Sequence, residues 1–182
     1  MLELKKGRPI DFESRADAEK AVYDFLDNLN IDYSRLDHEP AFTMEICSEI
    51  DKSLGALICK NLFLTNRQKT DFYLLMMPAD KVFKTKELSK ALGVSRLSFG
   101  EADKMQELLN TAPGSASVMG LLFDTENTVR LVIDEDVLKE EHFGCHPCVN
   151  TSSLKIKVSD LKDKILPALK HNYTEVILFG EE

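Results

Sequence analysis

No stretch of this 182-residue chain approaches the roughly 18 uncharged apolar residues that a membrane-spanning helix needs. The opening Met1-Leu2-Glu3-Leu4-Lys5-Lys6 has no apolar core behind its charges, so it does not read as a signal peptide. Four cysteines without an export signal point to a reducing compartment, and the cytoplasm is the expected location. Internal repeats and low-complexity linkers are missing. So are the G-x-G-x-x-G turn, the Walker loop, the G-x-S-x-G elbow and H-E-x-x-H. These absences leave a soluble globular chain, with a hydrophobic content of 43% and a charged content of 30%, long enough for one domain over 1–182.

Positive charge is also scarce, and a net charge of −8 argues at face value against a nucleic-acid partner. The distribution of charge argues the other way. From Lys52 to Lys104 there are ten Lys/Arg against five Asp/Glu, whereas the remainder carries thirteen against twenty-six. A chain polarised in this way can offer one basic face to RNA, although such runs also occur as plain solvated faces.

Apolar periodicity and capping residues divide the chain into short, irregularly mixed elements. Ser14 is placed to cap a helix carrying Ala18, Val22, Phe25, Leu26 and Leu29, and Ile31 to His38 reads as a strand. Thr43 is the candidate N-cap of a second helix ending near Gly55. Lys60–Thr65 and Phe72–Met77 flank a polar turn and predict a hairpin. Thr85 is expected to cap a helix through Leu92 that stops at Gly93. Arg96 to Phe99 reads as a strand, Glu101 to Asn110 as a helix and Thr111 to Val118 as a loop. A second hairpin is expected from Gly120–Phe123 and Thr128–Ile133. Strands follow around His142–Val149 and Leu154–Val158, then a helix capped by Ser159 and a last strand over Glu175–Phe179. Without a regular β-α-β rhythm, the class is mixed α+β or irregular α/β around a mixed sheet.

Three features carry possible chemistry. Cys145-His146-Pro147-Cys148 has C-x-x-C spacing, which serves redox pairs; with His142, and Cys59 or His146, the cysteines could also contribute to a zinc site. No second C-x-x-C completes a zinc set, no helix is expected behind the pair, and cysteines also serve as small packing residues. Lys60, set before an apolar strand, reads either as a snorkelling end residue or as a cation at a pocket mouth. Asn61 points to the opposite face if the segment is extended. His38-Glu39-Pro40 and His146-Pro147 each place a histidine at a strand end before a turn. The residues alone name no reaction.

Six segments in order carry a resemblance: His38-Glu39-Pro40-Ala41-Phe42-Thr43, Lys60-Asn61-Leu62-Phe63-Leu64, Leu92 to Phe99, Pro113-Gly114-Ser115, Gly120-Leu121-Leu122, and His146-Pro147 with Asn150-Thr151. Together they resemble the bacterial prolyl-tRNA editing proteins of the YbaK/ProX-type aminoacyl-tRNA deacylase superfamily, freestanding relatives of the prolyl-tRNA synthetase editing domain. The resemblance implies a compact α/β domain with a mixed, partly barrel-like sheet. It implies hydrolysis of the ester joining a wrong amino acid to the terminal adenosine of tRNA, with Ala-tRNA(Pro) preferred and Cys-tRNA(Pro) next, without metal or cofactor. A noncatalytic module that binds charged tRNA is the other implied possibility. Lys60, Asn61 and His146 fall on the family's catalytic positions; His38, Thr43, Gly114, Ser115, Ala116, Ser117, Asn150 and Thr151 fall on substrate-binding ones. The partners implied are the acceptor end of mischarged tRNA and prolyl-tRNA synthetase, with the protein itself a monomer. One departure stands out: Val118 occupies the place of the family's loop proline, which should loosen or redirect the Gly114–Val118 loop.

Overall fold

The computed structural model describes residues 2–41 and 43–180; Phe42, within the first resembling segment, lies outside them. After a short strand β1 (Lys5–Lys6) and a 3₁₀ turn (Phe12–Ser14), helix α1 spans Asp17–Asn28. Ser14 does not cap it. Its hydroxyl donates back to the Asp11 carbonyl at 2.8 Å, and Ala16 occupies the N-cap position without a side-chain bond. Of the expected apolar stripe Val22 and Leu26 are fully inside, together with Tyr23, while Ala18, Phe25 and Leu29 are partly buried against the same core.

Strand β2 (Tyr33–Asp37) leads to α2 (Met44–Leu54), whose first turn is capped as expected: the Thr43 hydroxyl accepts from the Ile46 amide at 3.3 Å. Gly55, at φ +62°, closes this helix in the left-handed conformation that glycine adopts without steric cost. The first predicted hairpin forms between β3 (Leu57–Thr65) and β4 (Phe72–Pro78), with Lys60 opposite Met77. Every residue of β4 is buried, consistent with its unbroken apolar run in the middle of a covered sheet. Helix α3 (Thr85–Leu92) ends at Gly93 as predicted, but Thr85 is its first residue and Lys84 the N-cap. A two-residue strand β5 (Ser98–Phe99) and α4 (Ala102–Leu109) follow.

The second predicted hairpin does not form. Val118–Leu122 is a 3₁₀ turn, and β6 (Val129–Asp134) pairs in parallel with β4 and β9. A short apolar run reads equally well as a strand or as a buried helical turn. Here burial of Val118, Met119 and Leu121 decided in favour of the turn. The Asp124 carboxylate then accepts from the amides of Thr128 (2.9 Å) and Val129 (2.8 Å), turning the chain into β6.

The chain continues through α5 (Glu135–Leu138), β7 (His142–Cys145) and β8 (Ser152–Lys157), the last two shorter and longer than expected respectively. A helical run over 158–169, α6, has a π-type middle turn at Leu161–Ile165. Lys157 is its N-cap, so Ser159 sits inside the helix. Strand β9 (Tyr173–Val176) begins and ends earlier than the predicted last strand.

The strands form one mixed sheet in the order β1-β2-β8-β7-β3-β4-β6-β9, with β5 beside β3; its two ends do not pair among the described residues. The two halves meet on β3. Leu57 and Ile58 pair in parallel with Phe143 and Gly144 of β7, while Leu64 and Thr65 pair with β5 on the same edge. Between these contacts residues 59–63 have no strand on that edge. Gly144 permits the junction, since a Cβ there would lie 2.6 Å from the Leu54 Cδ2 atom. One face of the sheet carries the large core around Tyr23, Phe63, Leu131 and Phe143. The other carries a smaller core of Leu64, Leu75, Met77 and Leu88.

Gly120 is held against α4, with the Leu109 carbonyl oxygen only 2.8 Å from where a Cβ would sit. Gly120→Ala is expected to lower unfolding free energy by about 1–3 kcal/mol, the usual cost of overpacking against groups that cannot yield. Urea denaturation of the two proteins measures it, and equal midpoints would show that the loop yields.

Candidate active site

The turn from β7 into β8 brings two histidines together. His146 donates from Nδ1 to the Ser152 carbonyl at 2.8 Å; a carbonyl only accepts, so Nδ1 carries the proton of the neutral ring. Its Nε2 lone pair has no hydrogen-bond partner among the described residues. Burial pushes the imidazole below its ordinary value and nearby His38 adds to this, against the opposing pull of the Ser152 carbonyl. His38 lies with its ring centroid 6.2 Å from that of His146. Its Nδ1 meets the Glu39 carbonyl at 2.8 Å, its Nε2 meets the Ser153 hydroxyl at 2.9 Å, and its amide donates to the Thr151 carbonyl.

The loop before the 3₁₀ turn faces the same region. Ser117 donates to the His146 carbonyl at 2.5 Å and accepts from the Met119 amide at 3.1 Å, so one hydroxyl ties the loop to the histidine and caps the following turn. Val118 is fully buried in the larger core. The loop end is held by packing of Val118 and a serine cap, where a proline ring would restrict it by its own geometry. Gly114 adopts φ +92°, and a Cβ there would meet only the Asn150 amide nitrogen, at 4.0 Å. The Ser115 amide donates to the Ala112 carbonyl, while those of Gly114, Ala116 and Ser117 donate to nothing among the described residues. Ala116 packs partly against the core.

Two loops far apart in sequence thus converge. Thr111, Ala112, Pro113 and Ser115 on one side, and Cys148, Val149, Asn150 and Thr151 on the other, line a cleft of about 540 Å³. Thr111 is 2% exposed and its hydroxyl has no partner. Beneath Ser152 runs a buried polar network that the sequence did not disclose. The Ser152 hydroxyl donates to Asp37 (2.8 Å), Arg15 reaches both Asp37 and Glu19 (3.1 Å each), and Tyr23 donates to Glu19 (2.7 Å). Burial alone would raise the Asp37 carboxyl, but hydrogen bonds from Arg15, Arg35 and Ser152 outweigh it and hold the group at about 2. No spacing rule finds partners more than a hundred residues apart.

Lys60 and Asn61 do part company, as alternation along a strand requires. Lys60 shares the face of Leu62 and Leu64, and its ammonium donates to the Lys81 carbonyl. Burial lowers its pKa, and Asp80 opposes the shift. Lys81 is itself fixed by Asp134, Asp136 and the Leu178 carbonyl, each at 2.7 Å. Asn61 shares the face of Cys59 and Phe63, where its Oδ1 is buried without a partner. Neither residue hydrogen-bonds to His146 or the 114–118 loop among the described residues, though both lie in the five-residue gap on the edge of β3. Thr43 is occupied as the cap of α2.

Cys59, Cys145 and Cys148 are buried free thiols, and burial pushes Cys145 up to about 12 and the other two further. A thiol so placed is protonated at neutral pH and makes a poor nucleophile. Among the described residues no group of three or more His, Cys, Asp or Glu side chains could hold a metal ion.

Burial disfavours the protonated form of His146. Its ring is expected to titrate with a midpoint below 6.5, followed by NMR of the imidazole C–H signals. A depressed histidine pKa contributes stability that is complete above the unfolded value and lost as pH falls through the folded one. Unfolding free energy should therefore drop on acidification from pH 7, and drop less in His146→Gln. A midpoint at or above 6.5 would contradict this.

The aminoacyl-tRNA editing domain model matches residues 38–164 of this chain. The prolyl-tRNA editing protein ProX of Acetoanaerobium sticklandii is 31% identical over 162 residues, spanning 89% of this chain and 98% of that protein. Prolyl-tRNA synthetase associated domain-containing protein 1 of Danio rerio is 31% identical over 164 residues, spanning 89% and 87%. A solved structure described as a proposed trans-editing enzyme for prolyl tRNA synthetase superposes with a TM-score of 0.65 at 13% identity, over 91% of this chain and 99% of that one. That likeness concerns the fold. No helix among the described residues is long and apolar enough to cross a membrane. With the family model covering most of the chain and a relative of this identity matched almost end to end, the protein belongs to the aminoacyl-tRNA editing domain family.

Proposed function

We propose that this protein is a cytoplasmic trans-editing hydrolase that deacylates mischarged tRNA(Pro), with Ala-tRNA(Pro) its preferred substrate and Cys-tRNA(Pro) next. The observation that carries the reading is the convergence of two loops on one cleft. The loops are tied to a neutral histidine by Ser117 on one side and Ser152 on the other. An ester is already activated relative to an amide, so a positioned water and a stabilised oxyanion suffice.

In this reading the His146 Nε2 lone pair takes a proton from water as the water oxygen attacks the aminoacyl carbonyl carbon. The amides of Gly114, Ala116 and Ser117, which have no internal acceptor, receive the developing oxyanion. The ester C–O bond then breaks, and the ribose oxygen of the terminal adenosine takes the proton back from His146. Free amino acid and tRNA are released. Lys60 and Asn61, on opposite faces but bordering the same gap in β3, hold the terminal nucleotide from two sides. Lys60 exchanges the Lys81 carbonyl for a substrate phosphate. His38, Asn150 and Thr151 border the bound end. Rejection of proline is by size: a pocket filled by a small side chain cannot take the larger ring, a stronger filter than a single methylene.

The test is release of labelled amino acid from Ala-tRNA(Pro), Cys-tRNA(Pro) and Pro-tRNA(Pro). Rapid alanine release and negligible proline release are expected. His146→Ala should slow turnover by on the order of 10²-fold or more. Lys60→Ala should weaken substrate use by roughly tenfold or more, the scale of a charge-assisted contact. No release from any of the three would leave a protein that binds charged tRNA without cleaving it. Release with undiminished rates in His146→Ala would remove the histidine from the reaction.

A further inference from the structure

Four cations between Val82 and Gly100 are exposed: Lys84, Lys86, Lys90 and Arg96. The only carboxylate in that stretch, Glu87, is engaged by the Phe179 amide at 2.6 Å. Lys86 and Lys90 lie one turn apart on α3, and Arg96 follows the helix-ending Gly93. With Thr85, Ser89 and Val94 they line a groove of about 510 Å³ that contains no carboxylate.

The chain carries 31 Asp/Glu against 23 Lys/Arg, and several cations elsewhere are paired with carboxylates. Arg8 pairs with Asp24 and Asp27, Lys20 with Asp17, Lys69 with Glu101, Lys104 with Glu107, Lys139 with Glu135 and Lys164 with Asp160. Lys86, Lys90 and Arg96 have no such partner among the described residues. Like charges four apart destabilise a helix, although the dipole favours Lys90 in the last turn of α3. No carboxylate among the described residues pairs with Lys86, Lys90 or Arg96, and an external polyanion would offset their repulsion.

We propose that this groove holds the sugar-phosphate backbone of tRNA at a point outside the aminoacylated end. The proposal rests on the editing reading above for its choice of RNA over other polyanions. Two lysines about 6 Å apart along a helix are spaced on the order of one nucleotide step, and the Arg96 fork adds a bidentate phosphate contact. Exposed ammonium and guanidinium donors of this kind position a backbone and read no base. The groove supplies affinity that the acidic remainder of the surface withholds.

The experiment measures binding of uncharged tRNA from 50 to 200 mM salt, which requires no hydrolysis. Lys86→Glu/Lys90→Glu/Arg96→Glu is compared with wild type and with Lys162→Glu/Lys170→Glu, a charge reversal in a separate cleft. The triple variant should bind tenfold or more weakly, with a salt dependence reduced by about 3 in log-log slope, and the control should resemble wild type. Unchanged affinity in the triple variant, equal weakening in the control, or no binding by wild type would each overturn the proposal. Deacylation assays keep it separate from the editing reading. Loss of binding on charge reversal in a protein that cleaves no aminoacyl-tRNA would refute the hydrolase and leave the groove standing. Cleavage with KM unchanged in the triple variant would do the reverse.

Discussion

The sheet depends on a junction of two residue pairs. Leu57 and Ile58 of β3 meet Phe143 and Gly144 of β7, and along the sheet this contact alone joins β1-β2-β8-β7 to β4-β6-β9. It exists because residue 144 has no side chain: Leu54 of α2 occupies the space that a Cβ would need. Because β7 claims only the start of β3 and β5 only its end, five residues between them are left without a strand partner on that edge. Lys60 and Asn61 lie in that interval. The geometry that holds the sheet together thus also leaves this stretch of strand edge unpaired.

The other half of the candidate site is organised around one imidazole. A buried histidine could settle in either tautomer, and the Ser152 carbonyl decides between them by accepting from Nδ1. Ser152 is in turn held through its hydroxyl by Asp37, itself gripped by Arg15 and Arg35. Burying several charges is costly unless each is paired, and here every member has a partner. The network fixes the ring and its free nitrogen in place, as a proton-transfer group requires. Ser117 links the amide-bearing loop to the same residue through its backbone carbonyl.

Electrostatics separates two tasks within an acidic molecule. The cleft between the 111–115 and 148–151 segments is close to neutral, suited to an amino acid and an ester. The α3 groove is cationic and unpaired, suited to phosphate. A whole-chain charge of −8 conceals this, because carboxylates outnumber cations over the rest of the chain.

Much of this was legible in the residues themselves. Thr43 and Gly55 bound α2 because capping is local chemistry, and the β3–β4 hairpin followed from two apolar runs around a polar turn. Alternation alone placed Lys60 and Asn61 on opposite faces. The ordered segments from His38 to Thr151 carried the family. Periodicity could not tell the buried 3₁₀ turn at Val118–Leu122 from a strand, because burial against α4 settled it. Nor could it show that Ser14 prefers the Asp11 carbonyl to a helix cap. The Ser152 network, the internally bonded amide of Ser115 and the unpaired cations of α3 were beyond its reach for one reason. Each depends on which distant groups are absent or present within hydrogen-bonding distance, a property that local sequence does not contain and packing alone creates.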